Sequence, residues 1–373
     1  MRNPFTLGLA QREDFCNREK EIEDLLRYAR NGDPVIVFSP RRYGKSSLIK
    51  LVLEKLEEEG FLTVYVDLFP ISSEQDFLSR FSSGVFRGIG KGADPRTISD
   101  RVSGFFKRLV PNIEVKPDGL SLSAKFDHTA DTGLILDDVM DGLYSYANKR
   151  KLSACIALDE FQEITELPQA KRIEGILRSH VQQHKEISYF YVGSRRRILN
   201  DMFVNETRPF YKSAFSYMLR EIPREDFVRF IESRFRNTGK TCAAEIAGAI
   251  YDQVRGYPYY VQKLASILWD MTLEICSLEA VTEAHHRLLL MEGIDFEGIW
   301  SGLTLIQRSV LKALAFEPTS SPYGKEFMAR HRLSVGGTQR AMRVLFSRDL
   351  VEQDSDKMHR LTDPVMEAWL RNV

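Results

Sequence analysis

VIVFSPRRYGKSSL, from Val35 to Leu48, is the stretch that decides the fold of this 373-residue chain. It opens on an apolar, β-branched run suited to a strand buried on both faces. From Ser47 to Glu59, apolar residues recur at helical spacing: Leu48, Ile49, Leu51, Val52 and Leu56 stand among lysines and glutamates. Between strand and helix lies a short loop ending in Gly44-Lys45-Ser46. A phosphate-binding loop reads G-x-x-x-x-G-K-S/T, because backbone N–H groups must curl around phosphate oxygens. Its lysine reaches the β/γ-phosphates and its hydroxyl takes Mg2+. Ser39 stands where the first glycine is expected, so the pattern is one residue short. The strand–loop–helix context supports it nonetheless.

A nucleotide site needs a second half. Leu152 to Glu160, LSACIALDE, is another apolar strand, and it ends in two carboxylates. An acidic residue at such a strand tip holds Mg2+, usually through water, which assigns Asp159 together with Ser46 to the metal. The adjacent Glu160 is placed to act as general base on the attacking water.

Bulk properties narrow the class. Lys+Arg and Asp+Glu both total 52, so no overall field draws the chain to nucleic acid or to a membrane. The four cysteines (Cys16, Cys155, Cys242, Cys276) are scattered and form no C-x-x-C pair, which fits reduced thiols in the cytoplasm. No apolar run reaches transmembrane length, and the N-terminus lacks a signal-peptide core. The seven histidines show no metal-ligand spacing.

Organisation follows from the alternation of patterns. A helical pattern covers Asp14 to Arg30. Strands are expected at Val35–Ser39, Leu62–Leu68, Ala154–Leu158, Ile187–Ser194 and Ser216–Ile222, with helices between them. That alternation predicts a parallel, doubly wound α/β sheet. Residues of about 88–132 read as an insertion. It contains a basic piece at Arg101 to Leu109 and a hairpin signal at Pro117-Asp118-Gly119. From Pro223 the strands stop, and helices follow at about Arg224–Arg236, Ala243–Val254, Tyr257–Cys276 and Glu279–Met291. The end of the chain offers helices at Leu303–Phe316, Pro322–His331 and Val335–Arg348. A short hairpin around Asp354-Ser355-Asp356 completes a winged helix-turn-helix, with Ser334 as an N-cap. The expected domains are residues 1–223, 224–296 and 297–373.

With these elements placed, the chain resembles the AAA+-related ATPases of archaea and bacteria, within the STAND group of signal-transduction ATPases. FCNREKEIE is similar to the family's F-x-G-R-E-x-E element through Phe15, Arg18, Glu19 and Glu21, with Asn17 in place of glycine. SPRRYGKSSL resembles the family's P-loop. The resemblance thus implies nucleotide contacts from Ser39, Pro40, Arg41, Arg42, Tyr43, Gly44, Lys45, Ser46 and Ser47. LDEFQE resembles Walker B. Ser194 matches the polar sensor-1 position, and Arg196 the strand-4 arginine, with Arg195 and Arg197 as alternatives. Gly256-Tyr257-Pro258 is similar to the Gly-x-Pro motif of the helical lid, so Gly256 and Pro258 are expected at the nucleotide. The resemblance implies an AAA+-like P-loop NTPase core, an all-α lid and a winged helix. It also implies ATP with Mg2+, slow hydrolysis as a molecular switch, an unidentified protein partner, and a homo-oligomer as an open alternative.

The competing reading is a DNA-binding regulator, with Arg340, Arg343 and Arg348 of the third winged-helix element on DNA. Residues 301–373 carry eleven Lys+Arg against eight Asp+Glu, a weak footprint for nucleic acid. The resemblance implies an intramolecular clamp on the ATPase core as the alternative, which this charge balance favours over DNA binding. A nucleotide-holding scaffold is a third alternative, against which the intact Lys45, Ser46, Asp159 and Glu160 argue.

Overall fold

The computed structural model describes residues 2–9, 12–91, 104–116, 119–125, 130–354 and 356–372. Two compact units emerge: Arg18–Arg220, and Met1–Asn17 together with Glu221–Val373.

The first unit is built on a parallel sheet of β1 (Val35–Phe38), β2 (Leu62–Asp67), β5 (Ala154–Asp159), β6 (Ile187–Gly193) and β7 (Phe215–Met218), in the order β2-β5-β6-β1-β7. β3 (Val110–Lys116) and β4 (Gly119–Lys125) form a separate antiparallel hairpin within the expected insertion; Pro117, Asp118 and Arg101–Ser103 lie outside the described residues. The helices are α1 (Glu19–Arg30), α2 (Lys45–Glu58), α3 (Glu74–Gly90), α4 (Thr132–Arg150), α5 (Ala170–Gln183) and α6 (Arg196–Val204). β1, β5 and β6 are buried along their whole length, which is why they read as continuous apolar runs.

Side chains alternate across the sheet. Ile36, Val64, Val66, Ile156, Leu158, Tyr189 and Tyr191 share one core with Phe77, Phe81, Val139, Leu143 and Leu177 of α3, α4 and α5. The other parity includes Tyr65 and Asp159, and α2 packs on β2, β5 and β6. The strand period therefore turns Asp159 away from the main core.

Two boundaries move relative to the sequence reading. α1 starts at Glu19 and not at Asp14, because Asn17 and Arg18 both take left-handed φ, 60° and 87°. Asparagine tolerates that region best after glycine, which accounts for Asn17 at the family's glycine position. The first seventeen residues, counted in the expected 1–223 core, belong to the second unit. There Asn3 Nδ2 donates to Ser266 O at 3.1 Å and to Asp270 Oδ1 at 3.0 Å. The Phe5 ring lies 5.5 Å from that of Phe235.

The second unit contains α7 (Arg224–Arg236), α8 (Ala244–Gln253), α9 (Pro258–Met271), α10 (Leu278–Ser301), α11 (Leu305–Phe316), α12 (Lys325–Arg330), α13 (Val335–Ser347), the hairpin β8 (Val351–Gln353) with β9 (His359–Leu361), and α14 (Pro364–Asn372). The expected boundary at residue 296 falls inside α10, which runs from its Ser277 cap to Gly302. Lid helices and winged helix therefore share one element. α11 begins with a Thr304–Gln307 capping box. Ser334 holds the N-cap position of α13, but its side chain makes no capping hydrogen bond.

One buried ion pair lies away from the strand tips. Glu174 on α5 is 0% exposed and accepts from Arg208 Nη2 at 2.5 Å. Desolvation exceeds the attraction of Arg208 and pushes the Glu174 carboxyl up from 4.5 to about 7. Between those values the folded protein keeps a proton that the unfolded chain has released, so the group's contribution to stability falls as pH rises through that window. Urea unfolding across it should show a shallower pH slope for Glu174→Gln than for wild type. Equal slopes would contradict the shifted carboxyl.

Candidate functional site

Three adjacent strands of the sheet end at one place. β1 leads into Ser39, β5 ends at Asp159-Glu160, and β6 leads into Ser194, with β6 lying between the other two. The C-terminal edge of an open parallel sheet is where such folds bind ligands.

The loop Ser39–Gly44 turns through two left-handed positions, Arg42 at φ 62° and Gly44 at φ 86°, and delivers the N-terminus of the 14-residue α2. Gly44 is needed for its backbone and not for space: a Cβ there would meet nothing within 4 Å. Ser39 has no positive φ, so its position makes no such demand, and serine is tolerated in the incomplete motif. Lys45 is buried, and its Nζ donates to the carbonyls of Ser39 at 3.1 Å and Pro40 at 2.9 Å. Arg41 and Arg42 are exposed, while Tyr43 and Ser47 are buried.

Across from the loop, Ser46 Oγ donates to Asp159 Oδ2 at 2.6 Å. Tyr65 of β2 donates its phenol to the same oxygen, also at 2.6 Å, and the Glu160 amide donates to Asp159 Oδ1 at 3.0 Å. Burial raises the Asp159 carboxyl, and the hydrogen bonds from Ser46 and Tyr65 oppose that rise. Burial, with Asp159 beside it, pushes the Tyr65 phenol up, so it stays a donor. Glu160 takes a left-handed φ of 51°, and its Oε2 accepts from Ser194 Oγ at 3.0 Å and from Gln162 Nε2. Gln162 is itself 0% exposed, and a Cβ on Gly193 would come within 2.0 Å of its Oε1. Glycine at the end of β6 is what makes room for this side chain.

The structure thus brings Lys45, Ser46, Asp159, Glu160 and Ser194 together. Arg196 heads α6 with its guanidinium 5.5 Å from the Phe38 ring at the tip of β1. Its neighbour Arg195 pairs with Glu166 at 3.4 Å. Gly256 and Pro258 belong to the second unit. There Gly256 has φ 65°, with Tyr251 packed where a Cβ would stand, and Pro258 is the first residue of α9. The preceding Arg255 reaches the winged helix, with Nη2 donating to Leu361 O at 3.1 Å and Nη1 lying 3.1 Å from Glu367 Oε2. Tyr260 donates to Asp363 Oδ2 at 2.6 Å.

Tyr65 and Gln162 are site residues that the sequence reading missed. The signal for Tyr65 was its parity: it stands two residues before the end of β2, on the same face as Asp159.

Loop, acid pair and strand order together define a P-loop ATPase fold of the AAA+ type, followed by helices and a winged helix. Residues 15–264 match the family described as an ATPase domain predominantly from Archaea, and the chain belongs to that family. Residues 294–372 match a probable winged helix domain. A search of curated proteins finds no match. Among solved structures, the chain is similar to a Walker-type ATPase of Pyrococcus abyssi, with a TM-score of 0.71 at 14% identity over 98% of this chain and 99% of that one. It is also similar to the ORC2 protein of Aeropyrum pernix in ADPNP–ADP complexes, with a TM-score of 0.55 at 17% identity over 96% and 95% of the two chains. At these identities the likeness is one of fold. Among the described residues, no helix is long and apolar enough to cross a membrane.

Hydrogen bonds to charged groups contribute about 1.5–3 kcal/mol each. Tyr65→Phe should therefore lower stability in EDTA by about that amount, read from the urea midpoint. An unchanged midpoint would mean that Tyr65 does not hold Asp159.

Proposed function

We propose that the chain binds ATP with Mg2+ at the tips of β1, β5 and β6 and hydrolyses it slowly, as a molecular switch. The observation that carries the reading is the Ser46–Asp159 contact of 2.6 Å beside the buried Lys45. A hydroxyl and a carboxylate are hard oxygen donors of the kind Mg2+ selects, so Ser46 and Asp159 are the residues that would hold it. When bound, the metal supplies neutralising charge to the phosphates.

The remaining work falls to the chain itself. Phosphoryl transfer asks chiefly for positioning and electrostatic stabilisation. Lys45 and the N-terminus of α2 oppose the phosphate charge, with Ser39 to Ser47 wrapped around it. Glu160 accepts a proton from water, and Ser194 and Gln162 orient its carboxylate. Ser194 is the candidate sensor of the terminal phosphate, and Arg196 the candidate arginine at the nucleotide, with Arg195 and Arg197 as alternatives and the run able to serve a neighbouring subunit. The Arg255 and Tyr260 bonds support a lid and winged helix that respond to nucleotide as one body, in the manner of a STAND switch.

A second reading has one specific observation behind it. Gln339, Arg340, Arg343 and Arg348 are all exposed on or just after α13, the arrangement a DNA-reading helix needs. On this reading the ATPase core controls a duplex-DNA reader.

Lys45→Ala should abolish Mg2+-dependent ATP turnover and weaken nucleotide binding. Glu160→Gln should retain binding and lose about 10²–10⁴-fold in kcat. Turnover unchanged in Glu160→Gln would remove that residue from the base role. For the DNA reading, Arg340→Ala with Arg343→Ala should reduce the salt slope of duplex binding by about two, measured by fluorescence anisotropy. An unchanged slope would leave the winged helix as a clamp.

A further inference from the structure

Cys242 and Cys276 lie far apart in sequence, yet the helical unit sets them side by side. Thr241 and Ile275 form an isolated parallel bridge, in which Thr241 N donates to Glu274 O at 2.7 Å and Cys276 N donates to Thr241 O at 2.9 Å. The two cysteines are the next residues along each segment, and laterally paired residues point to the same face. Exposure follows that alternation: Ile275 is 74% exposed, whereas Cys242 and Cys276 are 5% and 7% exposed. The Thr272 hydroxyl lies 3.5 Å from Cys276 Sγ. Both cysteines are free thiols.

We propose that Cys242 and Cys276 are a redox pair, which a low-molecular-weight disulfide of the glutathione type converts into an intramolecular disulfide. Cys276, as thiolate, attacks one sulfur of the reagent; a mixed disulfide forms and one small thiolate leaves. Cys242 then gives its proton to solvent and attacks Cys276 Sγ, displacing the second small thiol. The protein loses two electrons and two protons, and the reagent's S–S bond is reduced to two thiols.

The surroundings divide the two roles. The Thr272 hydroxyl and the Lys240 ammonium favour the Cys276 thiolate against the effect of its burial. Burial raises Cys242, which suits the resolving position. Lys240 is fixed nearby, its Nζ donating to the carbonyls of Trp269 and Thr272 at 2.6 Å each. Cys155 is a contrast within the same chain, fully buried in β5 with its thiol pushed up by burial alone.

Between the two sulfurs run α8, the Gly256-Tyr257-Pro258 turn and α9. The cross-link therefore ties the two ends of this helical pair together. This inference stands on the thiol geometry and is independent of the ATPase reading.

The experiment equilibrates the full chain in mixtures of reduced and oxidised glutathione, quenches with an alkylating agent and maps the peptides by mass. The expected product joins the Cys242 and Cys276 peptides, lighter by two hydrogens, and leaves Cys155 reduced. In Cys242→Ser, glutathione should remain attached to Cys276, because the resolving thiol is gone. Thermal unfolding of wild type should shift to higher temperature on oxidation and return with reductant. Wild type that keeps both thiols reduced in oxidised glutathione would overturn the proposal. So would a stable glutathione adduct in wild type, or a cross-link between two molecules.

Discussion

The hydrogen bond between Ser46 Oγ and Asp159 Oδ2, 2.6 Å long, ties the start of α2 to the tip of β5. Those two elements are not neighbours through the sheet. β6 lies between β5 and the strand that feeds α2. The loop Ser39–Gly44 must therefore turn sharply enough for α2 to cross that intervening strand. The left-handed backbone at Arg42 and Gly44 allows the turn, and the buried Lys45, bonded to two loop carbonyls, holds it. Because β6 is interposed, its own tip becomes the third wall of the site. Ser194 can then touch Glu160.

Asp159 itself shows why the site needs this frame. Its residue is 2% exposed, and burial alone disfavours a charged carboxylate. Donors from three elements, Ser46 on α2, Tyr65 on β2 and the Glu160 amide after β5, satisfy both of its oxygens. A carboxylate fixed from three directions cannot swing away into solvent.

Much of this was legible in the sequence because the relevant signals are local. A buried strand followed by Gly-Lys-Ser and a helical period marks the loop, and an apolar strand ending in Asp-Glu marks its counterpart. What was not legible depended on long-range packing. Ser39 looked like a defect until its backbone showed no need for glycine. Tyr65 lies 94 positions from Asp159, and only strand order makes them neighbours. α10 passes uninterrupted through the expected boundary at residue 296, with Gly293 and Gly298 both within the helix. The first seventeen residues were assigned to the nearest pattern in sequence, whereas Asn3 and Phe5 pack on α9 and α7.

The same distinction applies to the second unit. The Gly256-Tyr257-Pro258 turn was recognisable as a motif, but its attachment was not. Arg255, at φ 50°, turns toward Leu361 and Glu367, so the turn and the winged helix are joined by direct bonds. The most direct test of the central claim is an anomalous difference map from crystals grown with Mn2+ and a non-hydrolysable ATP analogue. The account predicts a metal peak beside Ser46 Oγ and Asp159, with the terminal phosphate facing Glu160 and Ser194. A nucleotide bound elsewhere, or a metal peak remote from Ser46 and Asp159, would contradict it.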